Sequence, residues 1–446
     1  MLKLVYVLTL TPRNEMVHDV LSLSTYRYEA AHAINYSRVS RKVRSMPADT
    51  SPFTPGIPVP VEVFVGRKSQ LEEILQYVER SKKGKQENIF LTGERGIGKS
   101  SLAKYIREIS TIKDNYLPIH VLLGGVNSVD GVIFKIFDAI LKESYKDKEN
   151  RGEKIKEFFG KCIAEVGLFG VSVAFKPQQE NLRDLKNNFA EFLMNVIERI
   201  PKTKSGLFIV LDDINGLAKT DEFANWYKSF VDHIATHYTK CPITILIIGL
   251  PEVRDALSSH QESLMRIFRV VNIEKLSNAE VRDFFLRAFE TVHTRVDDDA
   301  NDMLVIYSSG LPILMHEIGD SVFRKNTDTR IDRVDASSGI VSAANIIGEK
   351  YLNPKVYHAI RSERYTSILT KIGKNFSFRF RKREIEKTLN ESEKRVINNF
   401  LRTMRDNGVI VQDPDGARGS YQFVNELYAL YITMMSAEKT GSHLVK

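Results

Sequence analysis

Asn88-Ile89-Phe90-Leu91-Thr92-Gly93-Glu94-Arg95-Gly96-Ile97-Gly98-Lys99-Ser100-Ser101 is the stretch on which the reading of this chain turns. Asn88–Leu91 is a short apolar run suited to a strand, and Ser100–Ser110 continues as a helix. Between them, Gly93–Ser100 fits the pattern GxxxxGK[ST] in the strand-then-helix context that gives the pattern meaning. The glycines let backbone N–H groups turn inward around phosphate oxygens, and the helix N-terminus adds partial positive charge. Lys99 is expected to bridge the β- and γ-phosphates of a nucleoside triphosphate, with the Ser100 hydroxyl on Mg²⁺. The expected ligand is ATP, held by Gly93, Glu94, Arg95, Gly96, Ile97, Gly98, Lys99, Ser100 and Ser101.

Leu207-Phe208-Ile209-Val210-Leu211 is a second apolar strand, and it ends in Asp212-Asp213. Ligands of open α/β sheets sit at the carboxyl ends of the strands. Asp212 is therefore expected in the magnesium shell with Ser100, and Asp213 is expected to orient or deprotonate the attacking water. Leu117–Leu123 and Ile243–Ile248 are further strands, separated from the others by helical patterns such as 68–81, 129–143 and 182–200. Strands apolar on both faces and alternating with helices imply a parallel sheet flanked by helices. Within 144–200 a helix over 155–166 and a short strand or hairpin over 167–175 are also expected. Beyond Ser277 the pattern becomes helical, over 279–291, 300–308 and 312–323. His316 on the last of these reads as structural. Asp297, Asp298, Asp299 and Asp302 read as acids favoured by a helix start, with no metal required.

Composition narrows the class. Two cysteines in 446 residues, Cys162 and Cys241, give no disulfide framework and no zinc spacing, so a cytoplasmic protein is expected. No apolar run approaches the ~18 residues of a membrane helix. Net charge is +8. Lys355 to the end carries 17 Lys/Arg against 10 Asp/Glu, and residues 1–50 carry 7 against 4. The basic excess thus sits at the two ends, which points to a polyanion-binding module, with ordinary lysine-rich solubility as the alternative. Four prolines and a glycine between Pro52 and Pro60 suggest a linker closing off a basic arm.

The terminal module reads as helices over 365–372, 381–388 and 391–407, then strands 409–411 and 420–423 around Asp413-Pro414-Asp415-Gly416, then a helix over 426–435. Three helices and a hairpin make a winged helix-turn-helix, whose third helix enters the major groove. Val396, Ile397, Phe400, Leu401 and Met404 would face inward. Double-stranded DNA would then meet Lys394, Arg395, Asn398, Arg402 and Arg405 on the helix, Arg418 on the wing, and the cluster Arg379, Arg381, Lys382 and Arg383.

With these motifs in view, the chain resembles the AAA+ superfamily, in the branch of origin-recognition-like initiators, transposition ATPases and STAND-type signalling ATPases. Phe64-Val65-Gly66-Arg67 resembles the segment that lies against the adenine, so the resemblance places Val65, Gly66 and Arg67 at the base. Gly310-Leu311-Pro312 resembles the start of the lid helix that touches the nucleotide. Ile248–Arg254 with Leu264-Met265-Arg266-Ile267 resembles the strand-to-lid region; it implies that Arg266, with Arg269 as the fallback, reaches a neighbouring subunit's nucleotide. The domains implied are an arm and linker at 1–60, a P-loop ATPase core at 61–276, a helical lid at 277–335 and a winged helix at 336–446. Asp213 stands where rapid hydrolysers have Glu, Ile243–Gly249 ends without a polar side chain, and Ile313, Leu314 and Met315 stand where an arginine is common. The resemblance therefore implies slow turnover that governs self-assembly or a partner, with DNA binding. The alternative is a nucleotide switch acting through proteins without DNA.

Overall fold

The computed structural model describes residues 50–57, 64–145, 185–200, 203–374 and 377–439. The expected helix at 155–166, the strand at 167–175 and the first 49 residues lie outside them. The elements named below belong to the unit Ser51–Lys446.

Five parallel strands form the core: β1 Glu87–Thr92, β2 Leu117–Leu122, β3 Leu207–Asp212, β4 Ile243–Gly249 and β5 Phe268–Asn272. Their order is β2-β3-β4-β1-β5, so β1 lies between β4 and β5, and β4 lies between β3 and β1. Every residue of β1, β3 and β4 is buried, as strands covered on both faces require. Helices α1 (Lys68–Lys82) and α2 (Lys99–Asp114) pack together and against the strands. α1 does so through Leu71, Ile74 and Val78, spaced three and four apart along one helical stripe. Alternate strand residues, Phe90, Ile119, Ile209 and Ile245 among them, point the other way. There they meet α3 (Val129–Tyr145), α4 (Phe189–Arg199) and α5 (Glu222–His237) in one core with Phe137, Phe189, Phe223, Tyr227 and Phe230. Phe90 is fully buried there, and its replacement by alanine is expected to cost about 3–5 kcal/mol. Helix α6 (Pro251–His260), with Pro251 at its first turn, and a 3₁₀ turn, Glu262–Arg266, lead into β5.

The segment expected to form the lid comprises α7 (Asn278–Glu290), α8 (Asp298–Ser308) and α9 (Pro312–Lys325), with a short parallel pair β6 (Arg295–Val296) and β7 (Arg330–Ile331). α7 opens on a capping box, Ser277 with Glu280. Asp297, just ahead of α8, makes a two-pronged ion pair with Arg330, and Asp302 pairs with Arg282. Helix α10 (Arg333–Ile347) packs along α9 and runs through the boundary expected at 336. The chain continues from α10 as a π-helix, Gly348–Tyr357, with Pro354 inside it. A proline has no N–H to donate, and wide helical turns occur where the regular ladder is interrupted.

The last elements are α11 (Glu363–Lys374), β8 (Arg379–Arg381), α12 (Lys382–Glu386), α13 (Glu391–Lys394), α14 (Ile397–Asp406), β9 (Ile410–Gln412), β10 (Ser420–Phe423) and α15 (Glu426–Lys439). The three strands form an antiparallel sheet in the order β8-β10-β9. Two local expectations change. Arg381 ends a strand paired with Ser420 instead of starting a helix. The helix expected over 391–407 breaks at Arg395–Val396, where Val396 N donates to Glu393 O three residues back and tightens the turn.

Candidate nucleotide site

The phosphate loop leaves the C-terminal end of β1, and α2 begins at Lys99. Gly93, Gly96 and Gly98 all have positive φ, 156°, 79° and 96°. Lys99 Nζ donates to the carbonyl oxygens of Gly93 (2.7 Å) and Glu94 (2.8 Å). The ammonium thus lies folded against its own loop. Burial pulls its pKa below the usual lysine range, against the attraction of Asp212. Ser100 is half-buried, Ser101 is buried, and Glu94 and Arg95 are exposed on the outer side of the loop.

Asp212 ends β3 with 6% exposure. His120, on the neighbouring strand β2, places Nε2 3.5 Å from Asp212 Oδ2. Asp213 follows in the left-handed region, φ 63°, and is exposed. Its Oδ1 accepts a hydrogen bond from Asn215 Nδ2, while Asn215 Oδ1 accepts from Leu250 N at 3.2 Å. Asn215 therefore ties Asp213 to the end of β4, where the strand itself ends without a polar side chain. Magnesium needs oxygen ligands and usually keeps several waters. A hydroxyl on Ser100 and a buried carboxylate on Asp212 suit that chemistry. Among the described residues no cluster of three or more His, Cys, Asp or Glu competes as a metal site.

Arg67 plays a part that its position in the motif did not reveal. Its backbone N–H donates to Glu280 Oε1 at 3.1 Å, and its guanidinium donates to Glu274 O and, at 3.1 Å, to Ile97 O. It fastens the phosphate loop to the start of the lid. Burial lowers its pKa to about 10, so it remains charged at neutral pH. A small cavity of about 30 Å³ lies beside it, lined by Phe64, Val65, Leu276, Phe284, Pro312 and His316 among others. A larger cavity of about 240 Å³ adjoins Gly96, Lys99, Ser100, Pro312 and Ile313. Ile313 N donates to Gly96 O at 3.4 Å, and Leu314 and Met315 are buried in the lid.

The wall of the larger cavity also includes Thr54, Gly56 and Ile57. Residues 51–57, expected to be linker, instead lie against the lid. Phe53 is 4% exposed and packs against Phe284, Phe285 and Phe289. Thr54 N donates to His316 Nδ1 at 3.0 Å. His316 is 3% exposed, and burial lowers its pKa to about 4. The proline-rich composition hid this docking, because its partners lie more than 200 residues away.

Arg266 is exposed on the 3₁₀ turn before β5. Arg269, on β5, lies 3.9 Å from Glu87 and over the Tyr77 ring at 5.8 Å, so it is engaged within its own chain. In the terminal module Arg381, Arg383, Lys394, Arg395, Arg402 and Arg418 are all exposed, and Lys382 is half-buried beside Glu386. Ile397, Phe400, Leu401 and Met404 face the core, with Val396 at its margin.

Residues 63–227 match the family described as AAA ATPase domain. That span takes in the phosphate loop, both acids of β3 and the first part of α5. The chain is 23% identical, over 314 residues, to an uncharacterized HTH-type transcriptional regulator of Methanocaldococcus jannaschii, covering 65% of this chain and 71% of that one. Among solved structures, it is similar to a Walker-type ATPase of Pyrococcus abyssi, with 16% identity, a TM-score of 0.50, and coverage of 87% of this chain and 99% of that one. It is also similar to the Aeropyrum pernix ORC2 protein, solved with ADPNP and ADP, with 11% identity, a TM-score of 0.51, and coverage of 90% and 99%. The five-stranded sheet with its helices is the α/β fold of the P-loop nucleoside triphosphatases, and residues 63–227 are similar to AAA ATPase domains. Among the described residues, no helix is long and apolar enough to cross a membrane.

Proposed function

We propose that the protein binds ATP with Mg²⁺ at the Gly93–Ser101 loop, hydrolyses it slowly, and couples nucleotide state to duplex DNA held by its terminal module. The observation that carries this reading is the loop itself: Lys99 at the helix start, within the field of a buried Asp212 at the end of β3 in the same sheet. On binding, Lys99 would leave the carbonyls of Gly93 and Glu94 for the phosphates, where its charge is better used. Ser100 and Asp212 would hold the magnesium, which neutralises charge on the phosphates. Asp213 would hold the attacking water, with Asn215 fixing its carboxylate. The shorter Asp213 side chain, and the apolar Ile313, Leu314 and Met315 at the lid, support slow turnover. Arg266, exposed at the edge of the core, suits a role toward a second subunit's nucleotide.

The coupling route is local. Ser309 precedes Gly310-Leu311-Pro312, and its Oγ accepts a hydrogen bond from Glu426 N at the start of α15. α15 in turn packs on α10 and α11, so lid and terminal module share a helix. Helices α11, α12 and the broken pair α13–α14, with a three-stranded sheet, suit a winged helix, and the relative named as an HTH-type regulator supports DNA as its partner. A second reading, a nucleotide switch acting through proteins, draws on the basic side chains that face their own acids. Arg379 lies 3.4 Å from Asp413, Lys382 3.4 Å from Glu386, and Lys394 2.8 Å from Glu391.

The test is ATP turnover with and without duplex DNA, beside Lys99→Ala, Asp213→Asn and a triple Arg381→Ala, Lys382→Ala, Arg383→Ala variant. DNA-stimulated turnover lost in the first two, with DNA affinity weakened and its salt slope reduced in the triple, supports the proposal. Nucleotide-dependent recruitment of a protein, with no salt-dependent DNA binding, moves the reading to the switch.

A further inference from the structure

Of the residues lining the two cavities beside the phosphate loop, Thr54 Oγ1 and His316 Nε2 are buried side-chain polar atoms without a hydrogen-bond partner among the described residues. His316 lines both cavities. A backbone N–H can only donate, so the bond from Thr54 N makes His316 Nδ1 an acceptor. The proton of the neutral ring then sits on Nε2. The ring is held in place by Phe284, edge-on at 5.0 Å, and by Phe53 at 6.2 Å. The result is a fixed, buried N–H donor in the wall of both cavities. Leaving such a donor unpaired costs free energy, and an unpaired donor beside a ligand cavity calls for an acceptor from the ligand. The charged group of the smaller cavity's wall, the Arg67 guanidinium, is already committed to Glu274 O and Ile97 O.

We propose that His316 recognises the nucleotide base, its Nε2–H donating to an acceptor nitrogen of a purine ring, with the segment Ser51–Ile57 setting the tautomer that makes it a donor. This rests on the nucleotide-site reading above. The smaller cavity, about 30 Å³, has room for a water or two but not for a purine. Binding of the base therefore parts Phe64 and Val65 from the lid residues Phe284 and Met315 and brings the ring to His316. The segment that selects the donor, through Thr54, also lines the larger cavity beside Lys99 and Ser100.

The experiment measures affinities of full-length protein for ATP, for 1-deaza-, 3-deaza- and 7-deaza-ATP, and for inorganic tripolyphosphate, each with Mg²⁺. Wild type is compared with His316→Phe, His316→Gln and Lys99→Ala. The expected result is that one deaza analogue binds wild type about 3–10-fold more weakly than ATP, the range of one neutral hydrogen bond. His316→Phe erases that difference, and His316→Gln, which keeps a donor and an acceptor, restores part of it. Tripolyphosphate binding, unchanged in His316→Phe and lost in Lys99→Ala, shows that the phosphate site is intact. Equal affinity of wild type for ATP and all three analogues, or an analogue penalty that persists in His316→Phe, overturns the role of His316. Failure of wild type to bind either ATP or tripolyphosphate overturns the nucleotide-site reading beneath it.

Discussion

Acid should loosen the lid through one histidine. His316 titrates near 6.5 in an unfolded chain and at about 4 in the folded protein, because burial disfavours its charged form. The unfolded chain therefore takes up a proton that the folded one refuses. The stability that neutral His316 contributes is fully present above about pH 6.5 and is lost progressively as pH falls toward 4. Over that whole interval the linkage amounts to about 3 kcal/mol, and between pH 7 and pH 5 to about 2 kcal/mol. Protonation at Nδ1 also removes the acceptor for Thr54 N, so the Ser51–Ile57 segment is released in the same step. His316→Gln keeps an acceptor but does not titrate. The assay is chemical denaturation of wild type and variant at pH 7, 6 and 5, read as the difference between the two. Wild type should lose about 2 kcal/mol relative to the variant across that range. A difference that stays constant with pH would refute the reasoning.

Three further outcomes follow from named contacts. Gly66 has φ +71°, and a Cβ there would stand 2.4 Å from Glu280 Oε1, so Gly66→Ala should destabilise by at least about 1–3 kcal/mol and weaken ATP binding, by calorimetry. Glu426 is pushed up to about 7 by burial, with Arg379 opposing. Its stabilising protonated form is lost as pH rises through that value, so Glu426→Gln should melt above wild type at pH 8, the gap closing toward pH 5. Phe53→Ala should lose much of the about 3–5 kcal/mol that a buried phenylalanine holds in place. Limited proteolysis should then cut within 51–57 while the core stays intact.

What could be read from the sequence was what is contiguous in it. The phosphate loop and the Asp212-Asp213 pair lie on single short segments, each with its strand attached, so pattern alone placed them at the carboxyl ends of strands of one sheet. β5 left no such mark. Its exposed residues Arg269, Val270 and Asn272 give an edge strand no continuous apolar run. Asn215 lay in plain view two residues past Asp213, but its bond to Leu250 N depends on β3 and β4 being neighbours. The docking of Phe53 and Thr54 on the lid was hidden by surrounding prolines that favour a linker reading. The bond that Thr54 N donates to His316 Nδ1 left no mark in the sequence, because the two residues lie 262 apart. The boundary expected at 336 followed a polar stretch that α10 begins within, since Asp332 and Asp335 form a capping box at its start.

The central claim is that Gly93–Ser101 holds the triphosphate of ATP, with Lys99 leaving its own loop carbonyls to do so. Calorimetric titration of the purified full-length protein with Mg-ATP, beside Lys99→Ala, tests it most directly. The account predicts saturable one-to-one binding by wild type and a loss of at least about tenfold in the variant, the scale of one charge-assisted contact. Equal affinity of the two proteins for Mg-ATP, or no binding by either, would contradict it.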